Sequence, residues 1–230
     1  MSLKRECHPQ DTSSCANCES REDSLLCSTP EVLGLVEKAR TVCRFKAGQM
    51  IFYAGNDPLG LFTIQSGLVK LEVTSPNGAA HTLRMVGPGG VLGYRSLFAN
   101  EPYHATAVAV KDCELCFISK TDILEIFRSH PDLTMKLLNH LSKDLRQAEE
   151  KWMDQMDKGA SERIAEAVLF LNEHFHQQNW TRREIAQWAG TTPETVIRTL
   201  AQFEKEGLID QTDGRNIRII QKDRLRDRAS

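Results

Sequence analysis

Cysteine is the residue whose placement in this chain invites chemistry. Seven occur among 230 residues, and Cys7, Cys15, Cys18 and Cys27 all fall in a polar opening stretch, Met1–Pro30, that is short of aliphatic side chains. Two residues separate Cys15 from Cys18 and eight separate Cys18 from Cys27, while Cys113 and Cys116 lie much further on, beside the run Glu114–Ile118. The N-terminus has no apolar signal core, so the chain is expected to be cytoplasmic, where cysteines serve metal or redox chemistry more often than a disulfide frame. A pair spaced by two residues suits two ligands on one metal corner; the same spacing also occurs in redox-active thiols. With strict strand alternation, Cys113 and Cys116 point to opposite faces, so both are not expected to serve one site. Cys7 and Cys43 read as incidental, as does His8 beside Cys7.

A second set of polar side chains lies in Trp180–Ile209. Ile185, Trp188 and Ala189 form an apolar stripe at helical spacing, with Thr181 placed to cap the N-terminus and Glu184 three residues further on. Gly190 ends that helix, Thr191 or Thr192 caps the next, and Pro193 stands in its first turn, where a missing N–H does no harm. Val196, Leu200 and Phe203 face inward, leaving Thr192, Glu194, Thr195 and Arg198 outside. This is the layout of a helix-turn-helix, whose second helix presents its early residues to base edges. A plain helical hairpin, with Glu194 and Arg198 as a solvated pair, has the same spacing.

The elements around these sets divide into two domains with a long helix between them. Short β-type runs, Val42–Phe45, Met50–Gly55, Leu61–Val73, His81–Gly90, Ala105–Val110 and Glu114–Ile118, are broken by glycines and by the hairpin signal Asn77-Gly78; they predict a β-roll. Glu31–Ala39 and Asp122–Arg128 read as short helices. From Pro131 to about Asp157 a helix carries Leu133, Leu137, Leu141, Leu145, Ala148, Trp152 and Met156 at steps of four or three. That seam suits a two-stranded coiled-coil homodimer, or one long helix packed on its own domain. Lys158–Gly159 breaks the pattern. Ser161 is placed to cap a helix over Glu162–His176, and after Ile209 a turn at Gln211–Gly214 leads into a strand, Asn216–Ile220, as in a winged helix. The domains read as 1–30, a cysteine-bearing segment; 31–130, the roll; 131–158, the dimerisation helix; and 159–230, the winged helix-turn-helix. The fold class is α+β. No run is long and apolar enough to span a membrane. Net charge is −2, and residues 159–230 carry 11 Lys and Arg against 11 Asp and Glu, so nucleic-acid binding must depend on where charges sit.

This order of parts resembles the CRP/FNR family of bacterial transcription regulators, from Cys15 onward, most specifically in GNDPLGLFTIQSGLVKL and TRREIAQWAGTTPETVIRTLAQFEKEGLI. The resemblance implies a dimer on a palindromic promoter site in double-stranded DNA, with RNA polymerase as a further partner. In the reader the family motif Glu-x-x-Ser-Arg is matched by Glu194 to Arg198, with Ile197 in place of the serine. It implies that Arg198 reads guanine and Glu194 its partner cytosine, with Thr191, Thr192 and Thr195 at the same surface; Arg182 and Arg183 suit phosphate contacts. The cyclic-nucleotide branch uses a glutamate and an arginine in the roll. The matching segments here are Gly93-Tyr94-Arg95 and Tyr103-His104, so no cyclic nucleotide is expected.

The FNR branch holds a [4Fe–4S] cluster on three N-terminal cysteines and one from the roll. By resemblance these are Cys15, Cys18, Cys27 and Cys116, with Cys113 an ordinary roll residue; the eight-residue gap before Cys27 departs from the five of the best-known member. The implied signal is oxygen, redox state or nitric oxide. Four thiolates bind zinc as readily. Haem or another small ligand in the roll, with His81 or His104 as axial ligand, is the alternative sensor. A zinc or thiol-redox protein is the alternative of another class. No enzyme motif accompanies these residues, and an enzyme is not expected.

Overall fold

The computed structural model describes residues 6–8, 14–175, 179–211 and 216–229. Contacts divide the chain into two compact units: Met1–Thr74 with Leu83–Lys143, and Ser75–Thr82 with Asp144–Ser230. The elements in order are β1 (Glu6–His8), α1 (Pro30–Ala39), β2 (Arg40–Phe45), β3 (Met50–Phe52), β4 (Gly60–Ser66), β5 (Val69–Thr74), β6 (Ala80–Val86), β7 (Val91–Leu92), α2 (Tyr94–Ala99), β8 (Thr106–Ala109), β9 (Cys113–Ser119), α3 (Lys120–Ser129) and α4 (Asp132–Asp157). There follow α5 (Ala160–Phe175), α6 (Arg182–Ala189), α7 (Pro193–Lys205), β10 (Ile209–Asp210), β11 (Arg218–Ile219) and α8 (Lys222–Asp227).

The roll is built from a five-stranded sheet, β1-β2-β9-β4-β7, and a four-stranded sheet, β3-β8-β5-β6. Alternation along β9 decides what each face does. Cys113 and Leu115 enter the core between the sheets with Cys43, Phe45, Ile51 and Ile64. Ile118, on the other face, joins a second core with Leu61 of β4, Val32 and Val36 of α1, Ile123 and Ile126 of α3, and Leu133 and Leu137 of α4. The polar opening stretch covers that outer face as well: Cys15, Leu26 and Cys27 are buried in the same cluster. Burying a leucine of this kind stabilises by roughly 1.5–3 kcal/mol.

Local signals set the second unit. Thr181 and Glu184 form a reciprocal capping box on α6, Gly190 ends that helix with φ at +64°, and Thr192 caps α7 with Pro193 at its first position. Ile185, Ala189, Val196, Leu200 and Phe203 are buried, together with Ile164, Val168 and Leu171 of α5. β10 and β11 pair antiparallel, Ile209 opposite Ile219. The strand is shorter than the expected Asn216–Ile220, and residues 212–214 of the expected turn lie outside the described residues.

Three expectations need correction. Cys7 and Cys43 are not incidental: the β1–β2 register sets them directly opposite each other, and they form a disulfide across that edge pair. Ser161 does not cap α5, which starts one residue earlier; the Gly159 N–H is met by the Glu162 carboxylate instead. The long helix is present, but Leu133 and Leu137 are not on an open seam. They are buried in their own domain's core, and Leu141 packs against it, because the first two turns of α4 cover the outer face of the roll. The exposed apolar residues of α4 are Met135, Leu138, Leu145, Trp152, Met153 and Met156, with Ala148 exposed among them.

Gly60 shows how tightly β4 meets β9. A Cβ there would lie 2.1 Å from the Ile118 carbonyl oxygen and 2.7 Å from the Phe117 ring. Overpacking of this kind costs about 1–3 kcal/mol. Gly60→Ala should lower the urea midpoint by a corresponding amount without changing the m-value, whereas Gly78→Ala, where the added carbon meets nothing within 4 Å, should cost only the strain of its positive φ.

Candidate functional site

Four of the free cysteines converge. Cys15 and Cys18 lie at either end of a short 3-10 turn that Ser14 caps through the Ala16 N–H, and Cys27 lies in the loop before α1. Cys116 comes from the outer face of β9. These four line one pocket, whose floor is the outer face of the five-stranded sheet, with Arg40 of β2, Thr63 and Gln65 of β4 and Ile118 of β9. Cys113, three residues from Cys116, is turned the other way, its Sγ 3.3 Å from the Leu68 carbonyl oxygen in the inter-sheet core.

The loop is tied down at several points. The Cys15 N–H donates to Glu37 of α1 (3.1 Å), the Ser20 hydroxyl donates to the Ile64 carbonyl (3.3 Å), and the Cys27 N–H donates to Ser24 Oγ (3.2 Å). Lys136 of α4 donates to Thr29 Oγ1 at 2.7 Å, so the loop also reaches the long helix. Cys116 Sγ accepts from Arg40 Nη1 at 3.7 Å and lies 3.8 Å from Gln65 Oε1.

Burial pushes the Cys15 thiol up to about 12, against the pull of the Arg40 guanidinium. Burial also raises Cys27, opposed by the Ser24 hydrogen bond, and raises Cys116, opposed by Arg40. At Cys15, Cys27 and Cys116 burial outweighs the Arg40 charge and favours the protonated thiol. Among the described residues no three His, Cys, Asp or Glu side chains are placed to hold a single metal ion. One tetrahedral zinc at 2.3 Å from each sulfur would draw the sulfurs to within ~3.8 Å of one another. A polynuclear group holds its ligands further apart.

The other expected sensor positions lie elsewhere. Tyr94 is buried, its hydroxyl accepting from Arg84 at 3.1 Å, and the Tyr103 ring stacks on Phe52 at 3.9 Å between the sheets. Arg95 and His104 are exposed and His81 is half-buried.

In the second unit, α7 presents Thr192, Glu194, Ile197 and Arg198 at the surface, with Thr191 and Thr195 half-buried behind them. Glu194 is held below the usual carboxylate range by its own backbone N–H, free at the start of the helix, and by the Thr192 hydroxyl. Ile197 is 56% exposed, an apolar patch among polar neighbours. Arg183 is exposed, but Arg182 is half-buried and donates to Gln211. Among the described residues, four cations near the C-terminus form ion pairs: Arg218 with Asp210, Lys222 and Arg226 with Glu173, and Arg228 with Glu206. Sequence reading missed these pairings, since the acids lie up to 53 residues away along the chain. It also passed over Arg40, an arginine that only the β2–β9 register brings beside Cys116.

The family model described as a cyclic nucleotide-binding domain matches residues 42–130, and that of a Crp-like helix-turn-helix domain matches residues 162–228. The chain is similar to the cyclic AMP receptor protein of Thermus thermophilus, 34% identical over 72% of this chain and 77% of that protein. It is also similar to the anaerobic regulatory protein of Bacillus subtilis, 25% identical over 89% of this chain and 90% of that one. Among solved structures, a Thermus thermophilus transcriptional regulator of the CRP/FNR family matches with a TM-score of 0.70 and 28% identity, over 82% of this chain and 97% of its own. A β-roll followed by a long helix and a capped helix-turn-helix, matched in sequence and in fold along most of its length, leaves one conclusion. The chain belongs to the CRP/FNR family of DNA-binding transcription regulators.

Proposed function

We propose that this regulator senses oxygen or redox state, nitric oxide included, through a [4Fe–4S] cluster held by Cys15, Cys18, Cys27 and Cys116. One observation carries this: four thiols from three separate stretches of chain line a single pocket, and the neighbouring Cys113 is excluded from it. Four thiolates are the ligand set such a cluster takes, and its iron ions would supply the positive charge that buried thiolates need. When bound, it supplies reactivity toward oxygen that the side chains lack. The protein's part is packing. Cys15 and Cys27 share one core with Leu133 and Leu137, so a rearranged loop alters the bed on which α4 lies. Relatives named for cyclic AMP raise a competing signal, but here the matching positions hold the buried rings of Tyr94 and Tyr103. Protein purified without oxygen should contain iron and acid-labile sulfide in equal amounts. Cys15→Ser, Cys18→Ser, Cys27→Ser and Cys116→Ser should each abolish both, while Cys113→Ser should not. Full occupancy in Cys116→Ser would sink the assignment, and tightly bound zinc with no sulfide would favour a zinc site.

The same proposal includes a homodimer along α4, formed by the exposed row from Leu138 to Met156. Ala148 lies in that row, where a charge would face its symmetry mate. Two like charges about 4 Å apart repel by ~4 kcal/mol at an effective dielectric near 20. Ala148→Asp should therefore weaken association in sedimentation velocity; an unchanged dimer would place the interface elsewhere.

On DNA, two recognition helices imply a palindrome with half-sites ~34–36 Å apart, near which RNA polymerase would be engaged. Arg198 and Glu194 are placed to read a G·C pair, and the exposed Ile197 suits a thymine methyl. In a binding-site selection, Arg198→Ala should relax preference at one base pair per half-site, a loss of ~1–3 kcal/mol for each bidentate pair. Arg183→Ala should weaken all sequences alike and flatten the salt dependence. Arg182→Ala should change DNA affinity less than Arg183→Ala, because Arg182 is engaged with Gln211.

A further inference from the structure

Arg40 is the buried cation of the thiol pocket. It opens β2, opposite Ile118 of β9, on the same face as Val42, whose partner is Cys116. That register delivers the guanidinium to the pocket floor, only 8% exposed, with Nη1 donating to Cys116 Sγ at 3.7 Å. A guanidinium this deep is tolerated where acceptors and negative charge face it, and Cys116 is one such acceptor. Arg21 also lines the pocket but is only half-buried, and Glu37, which accepts from the Cys15 N–H, adds negative charge.

We propose that Arg40 is a positioning residue for the group held by the four cysteines: its fixed positive charge and its N–H to Cys116 stabilise that group against loss of an electron and set its reduction potential. This rests on the cluster reading above. A cluster on four thiolates keeps net negative charge, and its potential responds to nearby charge and to hydrogen bonds on its sulfurs. Removing a cation beside it disfavours the more reduced, more negative state. The potential then falls, an electron is lost more readily, and iron is released faster in air.

The test compares the unsubstituted full-length protein with Arg40→Gln, which keeps an N–H donor without the charge, and Arg40→Lys, which keeps the charge. Each is purified without oxygen and checked for folding by circular dichroism. Iron and sulfide are assayed, the reduction potential is measured by spectroelectrochemistry, and decay of the visible absorbance is followed in air. Arg40→Gln should show a more negative potential and severalfold faster decay, with Arg40→Lys restoring most of both. If the unsubstituted protein holds no iron and sulfide, the cluster reading and this inference fall together. If it does, and Arg40→Gln matches it in potential and decay, the inference alone is overturned. A shift in Arg40→Lys as large as that in Arg40→Gln would likewise overturn the role of charge. Should Arg40→Gln fail to fold, Arg40→Lys decides: a retained potential supports the inference and a displaced one overturns it.

Discussion

The outer face of the five-stranded sheet has to be covered, and most of the first unit follows from how. Leu61, Val42 and Ile118 on that face are buried, while Arg40, Thr63, Gln65 and Cys116 beside them are polar or reactive. Helices cover the apolar part: α1, α3 and the first turns of α4 close over it as one hydrophobic core. Over the polar part lies a loop with little regular structure, carrying three cysteines and tied by side-chain and backbone hydrogen bonds. The thiol pocket exists because a loop, and not a further helix, finishes that surface.

The same constraint gives α4 two roles. Its first turns bury Leu133 and Leu137 with Cys15 and Cys27, while Met135 and Leu138 on the opposite side remain exposed. Packed cores respond to a local change by repacking and not by smooth deformation. The loop and the helix touch directly, through shared side-chain contacts. Lys136, bound to Thr29, is a second point of attachment between loop and helix.

The reader domain depends on arrangement more than on charge. Its acids and bases balance, and Arg218, Lys222, Arg226 and Arg228 pair with carboxylates of the same unit. The first turns of α7 present a carboxylate anchored at the helix start, a guanidinium one turn on, and an apolar side chain between them. Such a surface has little general attraction for a polyanion.

Features that depend on neighbours along the chain are legible in residue order alone. The capping box at Thr181–Glu184, the left-handed Gly190, Pro193 at the start of α7 and the opposite faces of Cys113 and Cys116 follow from helical and strand periodicity over a few residues. The order of parts was legible for the same reason. Tertiary structure decided whatever required a partner far away in sequence. Leu133 and Leu137 carry the same spacing signal as Leu145, and only the presence of the roll turns two of them into core and leaves the third exposed. Cys7 meets Cys43, Arg40 meets Cys116 and Arg226 meets Glu173 through strand register and domain packing, which no local pattern encodes. Spacing reports which face a side chain takes; only the folded chain supplies what that face meets.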